Sequence, residues 1–276
     1  MTSSIFKACV FGNPIEQSKS PIIHASFAKQ FGIELEYTRR FAEPDGFVDS
    51  VNAFFDDPLC KGANVTMPFK HDACAWVDSL SPQAAHAGAV NTIIRKGDKF
   101  VGDNTDGYGL VTDLQQHKVC LQNKRLLLIG AGGAAKGAIP ALVDAGVSSV
   151  CIYNRSIDKA QALVNDTNQY KENVASLYNS NSNEFDVIVN ATSLSLQGSL
   201  PDLPTTIFSH KPAVYDMVYL FEPTAFLKHA AQHGASVTID GLGMLVHQAA
   251  RSFYLWFGKQ PQTNEIYEHL RSLAKS

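Results

Sequence analysis

Apolar and polar positions in this chain follow two different periods, and the switches between them mark its elements. Residues 6–12 (FKACVFG), 34–41 (ELEYTRRF) and 60–67 (CKGANVTM) carry the short β-rich runs of strands. Between them, residues 20–32 (SPIIHASFAKQFG), 45–55 (DGFVDSVNAFF) and 70–80 (KHDACAWVDSL) read as helices, with Phe47, Val51, Phe54 and Phe55 on one face of the second. The first helix is expected to open with Ser20 as N-cap and Pro21 in its first position, where a missing N–H costs nothing. Residues 89–104 (AVNTIIRKGDKFVGDN) read as two strands joined by a tight turn at Lys96, Gly97 and Asp98.

A second series begins with a helix over 106–117. RLLLIG (125–130) follows, a run apolar on both faces, as in strands of a parallel sheet covered by helices on each side. Further strands are expected at 148–154, 185–191, 213–219 and 236–240, and helices at 243–258 and 264–275. Such alternation predicts α/β architecture with right-handed crossovers. The expected division is a first domain of 1–105 plus 242–276, with the last two helices returning to it, and a second of 106–241.

The sharpest local signal is RLLLIGAGGAAKGAI. Gly130, Gly132 and Ala135 fit G-x-G-x-x-A between a buried strand and a helix start. The first glycine permits the turn, the second admits a pyrophosphate to the backbone, and the small third residue lets helix and strand pack closely. The helix N-terminus then faces the anion. An NAD site usually carries an acid at the end of the next strand, for the ribose 2′-hydroxyl. Here Asn154, Arg155 and Ser156 stand there, with Lys159 one turn on, a set suited to the 2′-phosphate of NADP. The plainer alternative is a solvated basic turn.

Bulk properties narrow the partners. The chain has 276 residues, 45% hydrophobic and 18% charged, as in an ordinary soluble enzyme. Its formal charge of 23 − 26 = −3 recommends neither nucleic acid nor an anionic membrane. No apolar run approaches the ~18 residues of a membrane span, and the opening MTSSIFKACV lacks the pattern of a signal peptide. The five cysteines form no Cys-x-x-Cys pair, which fits reduced thiols in a cytoplasm rather than disulfides or zinc.

The first domain supplies polar groups that could serve a substrate. Ser18 and Ser20, at a helix mouth, are suited to a carboxylate, although taken alone plain N-capping by Ser20 is the favoured reading. Thr66 and Lys70 follow in KGANVTMPFKHD, then Asn91 within a strand, then Asp106 in GDNTDG. Taken singly, Lys70 is a lysine at a helix start and Asp106 an N-cap. GDNTDG lacks the downstream Glu and the ligand spacing of a calcium loop, so no metal is expected.

Together, GNPIEQSKSP, KGANVTMPFK, GAVNT, GDNTDG, GAGGAAKGA, NRS, NATS, YDMVY and DGLGMLVHQAA make the chain resemble the shikimate dehydrogenase family along essentially its whole length. The resemblance implies an N-terminal α/β substrate domain, a Rossmann NADP domain, and C-terminal helices that rejoin the first. It implies reversible NADPH-dependent reduction of 3-dehydroshikimate to shikimate, a step of aromatic amino acid biosynthesis; a cytoplasmic location is expected from the thiols, and either a monomer or a homodimer fits the sequence. It places Lys70 and Asp106 as the catalytic pair, and Ser18, Ser20, Thr66, Asn91, Tyr219 and Gln248 as substrate contacts. The cofactor side is implied to be Gly130, Ala131, Gly132, Gly133, Ala134, Asn154, Arg155, Ser156, Lys159, Asn190, Ala191, Thr192, Ser193, Met217 and Gly241.

Three positions depart from the family pattern. Gln17 stands where His is common, Ser195 where NATSxG has its Gly, and Ala225 where a Pro follows the Thr; Thr224 is still expected to cap its helix. A serine at position 195 is strained if that loop needs a positive φ. Two other readings remain: a quinate/shikimate dehydrogenase that accepts NAD, and an NADP-binding regulator without chemistry. The second has no use for Lys70, Asp106 and the hydroxyl set together.

Overall fold

The computed structural model describes residues 5–181 and 183–273. The first four residues, and residues 274 and 275 of the expected last helix, lie outside that range. The chain divides into two compact units. Unit 1 runs through Thr105 and includes Gln248–Ile266; unit 2 is Asp106–His247 with the residues from Tyr267 on. The expected break at 241/242 precedes the helix Leu242–Phe257, and the division at 247/248 falls within it.

Unit 1 contains β1 (Phe6–Gly12), α1 (Ser20–Gln30), β2 (Leu35–Phe41), α2 (Phe47–Phe55), β3 (Cys60–Val65), α3 (Lys70–Trp76), β4 (Ser79–Leu80), α4 (Pro82–Ala87), β5 (Thr92–Lys96) and β6 (Lys99–Asp103). Its sheet has the order β2-β1-β3-β5-β6-β4. β2, β1 and β3 are parallel, β5 runs antiparallel to β3, and β5–β6 is the expected hairpin, turning at Gly97 with φ 65°. The apolar face of α2 (Phe47, Val51, Phe54, Phe55) packs with Phe11, Val65, Phe69 and Ile93 into one core.

Unit 2 contains α5 (Asp106–Gln116), β7 (Arg125–Ile129), α6 (Gly133–Asp144), β8 (Ser149–Tyr153), α7 (Ile157–Tyr170), β9 (Ala175–Leu177), β10 (Val187–Asn190), β11 (Ala213–Asp216), α8 (Ala225–Gln232) and β12 (Val237–Asp240). The remaining helices, α9 (Leu242–Phe257) and α10 (Asn264–Leu273), each cross the division between the units. The sheet of unit 2 is wholly parallel, in the order β12-β11-β10-β7-β8-β9. Leu126–Ile129 in β7 and Val187–Asn190 in β10 are buried throughout, as strands covered on both faces must be. The order reverses at β7, the place where doubly wound sheets open a crevice beyond their C-terminal strand ends.

Among the described residues no helix is long and apolar enough to cross a membrane. All five cysteines are free thiols.

Candidate functional site

In unit 1 the loop from β1 to α1 presents the two serines. Lys19, not Ser20, holds the N-cap position, and its side chain makes no cap bond. Ser20 is the first helical residue, and its amide donates to Ser18 Oγ at 3.3 Å. The hydroxyl that takes a backbone amide thus belongs to Ser18, two residues before the helix start. Ser18 Oγ lies 3.2 Å from Ser20 Oγ. Arg39 on β2 fixes this loop from outside, donating Nε and Nη2 to the Ser18 carbonyl at 3.0 and 2.7 Å. Gln17 is exposed.

A polar network joins Asn91 and Gln248, both expected from the sequence, to Tyr37, Asn64, Thr92, Thr105 and Ser252, which were not. Tyr37 OH donates to Asn64 Oδ1 at 2.8 Å. Asn64 Nδ2 faces Asn91 O, Thr92 Oγ1 and Ser252 Oγ at 3.2, 3.2 and 3.0 Å. Asn91 Oδ1 accepts from Thr92 Oγ1 and from the Thr105 amide, both at 2.9 Å, and Asn91 Nδ2 donates to Thr105 Oγ1 at 3.1 Å. Asn91 is therefore turned toward Thr105, the residue before Asp106, and sets the course of the chain there. Gln248 stands at the edge of this set, with Thr105 Oγ1 3.5 Å from its Oε1. Burial raises the Tyr37 phenol well above its usual range, so it is a donor at every working pH. The signal for Asn64 and Ser252 was a polar residue at a buried position of an apolar run.

Thr66 and Lys70 bracket a turn closed by the Phe69 amide on the Thr66 carbonyl at 3.0 Å. Lys70 is the first residue of α3, half-buried, and its carbonyl accepts from the Val90 amide at 2.9 Å. The layout of KGANVTMPFKHD is thus a strand, a closed turn and a helix start that hold the lysine between backbone anchors. Asp106 opens α5 in unit 2, where its carboxylate suits the helix N-terminus. Gly107 beside it admits close packing: a Cβ there would meet the Gly137 carbonyl at 2.6 Å.

The glycine loop of unit 2 joins β7 to α6. Gly130 has φ 113°, and its amide donates to Tyr153 O at 2.7 Å. Gly132 is the N-cap of α6, and a Cβ on Gly132 or Gly133 would meet nothing within 4 Å. Open space thus stands over the first amides of a helix, with Ala131 between Gly130 and Gly132 and Ala134 after Gly133, an arrangement of the kind that suits an anion. Ala135 is fully buried, as close packing of helix and sheet requires. At the end of β8, Asn154 Nδ2 donates to Ser156 O at 2.9 Å and shapes the turn. Arg155, Ser156 and Lys159 are exposed beside it, and the one acid among them, Asp158, lies within the first turn of α7.

Beyond β10, Asn190 Oδ1 accepts from the Thr192 amide at 3.1 Å and from its hydroxyl at 2.7 Å, which sets the path of Asn190–Ser193. That path abuts the glycine loop: a Cβ on Gly130 would meet Thr192 Cγ2 at 3.1 Å and Ala191 at 3.3 Å. Met217 donates its amide to Asn190 O at 2.9 Å, and Gly241 passes so close to the Met217 carbonyl that no side chain fits. Ser195 is not strained. It lies in a 3-10 turn, Leu194–Gln197, and the positive φ of this loop falls on Gly198 at 68°. Thr224 caps α8, accepting from the Leu227 amide at 3.2 Å, so Ala225 costs the helix no cap. Tyr219, expected among the substrate contacts, belongs to unit 2 and is half-buried.

Three family models match the chain. The shikimate dehydrogenase substrate binding domain covers residues 10–93, shikimate / quinate 5-dehydrogenase 113–197, and the shikimate 5'-dehydrogenase C-terminal domain 241–271. The NADP(+) shikimate dehydrogenase of Vibrio campbellii is 48% identical over 272 residues, 98% of each chain. That of Colwellia psychrerythraea is 46% identical over 96% of each. The solved shikimate 5-dehydrogenase of Thermus thermophilus, in complex with NADP(H) and shikimate, superimposes with a TM-score of 0.86 at 31% identity, over 97% of this chain and 99% of that one.

Proposed function

We propose a function from one premise: the chain belongs to the shikimate dehydrogenase family. It is an NADP-dependent oxidoreductase, and we infer that its reaction is the reversible interconversion of shikimate and 3-dehydroshikimate. One observation carries the choice of cofactor. The strand after the open glycine loop, β8, is followed by Asn154 and Arg155, with Lys159 one turn on, and no acid stands at the ribose position.

NADP(H), when bound, supplies or takes up the hydride at the carbon that bears the substrate oxygen. In the reducing direction the ketone oxygen gains negative charge and must receive a proton. Lys70 donates it from the ammonium, and the resulting amine recovers a proton from solvent. Asp106 holds a substrate hydroxyl in place for that transfer. Ser18 and Ser20 receive the substrate carboxylate, while Thr66, Asn91, Gln248 and Tyr219 meet its hydroxyls. The Arg39 clamp on the Ser18 carbonyl supports this reading, because it holds one receptor hydroxyl in a fixed place. A site of hydroxyl and amide groups rejects analogues that lack the matching hydroxyls more strongly than an apolar pocket does.

On the cofactor side, the Gly130–Ala134 loop takes the pyrophosphate, while Asn154, Arg155, Ser156 and Lys159 take the 2′-phosphate. Asn190–Ser193, Met217 and Gly241 flank the nicotinamide half. Steady-state rates with shikimate, comparing NADP+ with NAD+ and shikimate with quinate, test the whole reading. The expected outcome is a catalytic efficiency roughly tenfold or more higher with NADP+. Equal efficiencies would remove the 2′-phosphate assignment, and turnover of quinate alone would replace the substrate.

A further inference from the structure

The ends of β10 and β11 and the start of α8 converge on one side chain that the proposed chemistry does not use. Asp216, the last residue of β11, is fully buried. Its Oδ2 accepts from Ser195 Oγ at 2.6 Å and from Thr224 Oγ1 at 2.7 Å. Its Oδ1 accepts from Asn190 Nδ2 and from the Val218 amide, both at 3.2 Å. Asn190 Nδ2 also reaches Ser195 Oγ, at 3.4 Å. Four donors thus surround one carboxylate, from the Asn190–Gln197 stretch, from the segment after β11 and from the cap of α8.

A buried carboxylate costs several kcal/mol to desolvate unless it is well bonded. Burial does push the Asp216 carboxyl up from its usual range, against the pull of Ser195, Thr224, Val218 and Asn190. A cheaper core would place an apolar residue here. What the carboxylate achieves is convergence. Through Asn190 it fixes Thr192 and Ala191 against Gly130. Through the Val218 amide it fixes the backbone that carries Met217, onto which Gly241 is packed. Its bonds therefore run to the two segments, after β10 and after β11, that flank the proposed nicotinamide half. Ser195, which stands where the family pattern has glycine, adds a hydroxyl that glycine lacks.

We propose that Asp216 is a positioning residue for NADP, and that Ser195 is its auxiliary donor in this chain. The inference rests on the proposed NADP site. An asparagine at 216 keeps the volume but offers one acceptor atom where four donors need two, and it removes the charge. The loss falls on the loops that touch the cofactor and leaves the serines and amides of unit 1 unchanged.

The test measures NADP+ binding, the KM values of NADP+ and shikimate, and melting temperature for the full chain and for Asp216→Asn, Ser195→Ala and Tyr215→Phe. Tyr215 neighbours Asp216 on the same strand and donates a buried bond to Asp113 at 2.7 Å, far from the cofactor loops in role, so its variant reports general destabilisation. Asp216→Asn is expected to weaken NADP+ binding about tenfold or more, and Ser195→Ala about threefold, with the KM of shikimate within twofold of wild type. Tyr215→Phe should lower the melting temperature and leave NADP+ binding unchanged. Equal loss of NADP+ affinity in Tyr215→Phe, or unchanged affinity in both Asp216→Asn and Ser195→Ala, overturns the proposal. If Asp216→Asn does not fold, Ser195→Ala alone decides. A wild-type chain that binds no NADP+ would fail the proposed function instead, so the two failures are separable.

Discussion

His24 offers a stability prediction whose size follows from its surroundings. It lies on α1, fully buried, stacked on Tyr37 with ring centroids 4.4 Å apart and planes 5° from parallel, and close to Trp256 at 5.1 Å and Phe27 at 6.0 Å. Neither ring nitrogen finds a hydrogen-bond partner. Burial, the larger cause, lowers its pKa from 6.5 to about 3, against the pull of the Asn64 side chain. Above the unfolded value both states are neutral, and His24 contributes nothing to pH dependence. Between 6.5 and about 3 the unfolded chain binds a proton that the folded chain refuses, so stability falls as pH falls. From about pH 7 to about pH 5 the loss works out at ~1.9 kcal/mol. His24→Phe keeps the stacked ring and removes both nitrogens, so that loss disappears. Both tryptophans, Trp76 and Trp256, lie in unit 1, so their fluorescence in urea follows the unit that holds His24. The variant should match or exceed wild type near pH 7 and gain a further ~1.9 kcal/mol on it near pH 5. Parallel pH curves for the two proteins would refute the reasoning, since they would mean that the folded state accepts the proton.

Other perturbations follow from the same contacts. Arg155→Ala should raise the KM of NADP+ roughly tenfold to hundredfold and leave that of NAD+ unchanged, measured with saturating shikimate. Gly241→Ala forces a Cβ into the Met217 carbonyl; it should cost about 1–3 kcal/mol of stability in chemical unfolding and weaken NADP+ binding. Tyr37→Phe strips the donor from Asn64 Oδ1 and should raise the KM of shikimate severalfold, with that of NADP+ unchanged. Asp106→Asn should lower kcat, and its effect should be non-additive with that of Lys70→Ala if the two act as a unit, as a double-variant cycle would read.

What could be read ahead of the structure was local. The glycine loop was legible because three small residues, a buried strand and a helix start all lie within fifteen positions of one another, and the φ of 113° at Gly130 is what that pattern demands. The hairpin at Gly97 was legible for the same reason. Ser20 was misread as a cap because Ser-x-Ser-Pro offers two hydroxyls to one helix start, and propensity does not choose between them. α4 has every cap signal, with Ser81 accepting from the Ala84 amide, Pro82 in the first turn and Gly88 at φ 58°. Its six residues are too few to show a helical period. The Asn64–Ser252 bond joins residues 188 positions apart, and although each is a polar residue in an apolar run, nothing local pairs them. The same holds for Asp216, whose donors arrive from three separate segments. Strain at Ser195 depended on whether its loop needed a positive φ there, and the chain places that φ three residues later, at Gly198.

Proton donation by Lys70 is the central step of the proposed reaction, and the most direct measurement is the turnover of Lys70→Ala with shikimate and NADP+, followed by absorbance of the reduced nicotinamide. A positioned acid or base is worth ~10²–10⁴ in rate, so kcat should fall by that factor while both KM values stay within a few-fold of wild type. A kcat near the wild-type value, with only the KM of shikimate raised, would make Lys70 a binding residue and contradict the mechanism.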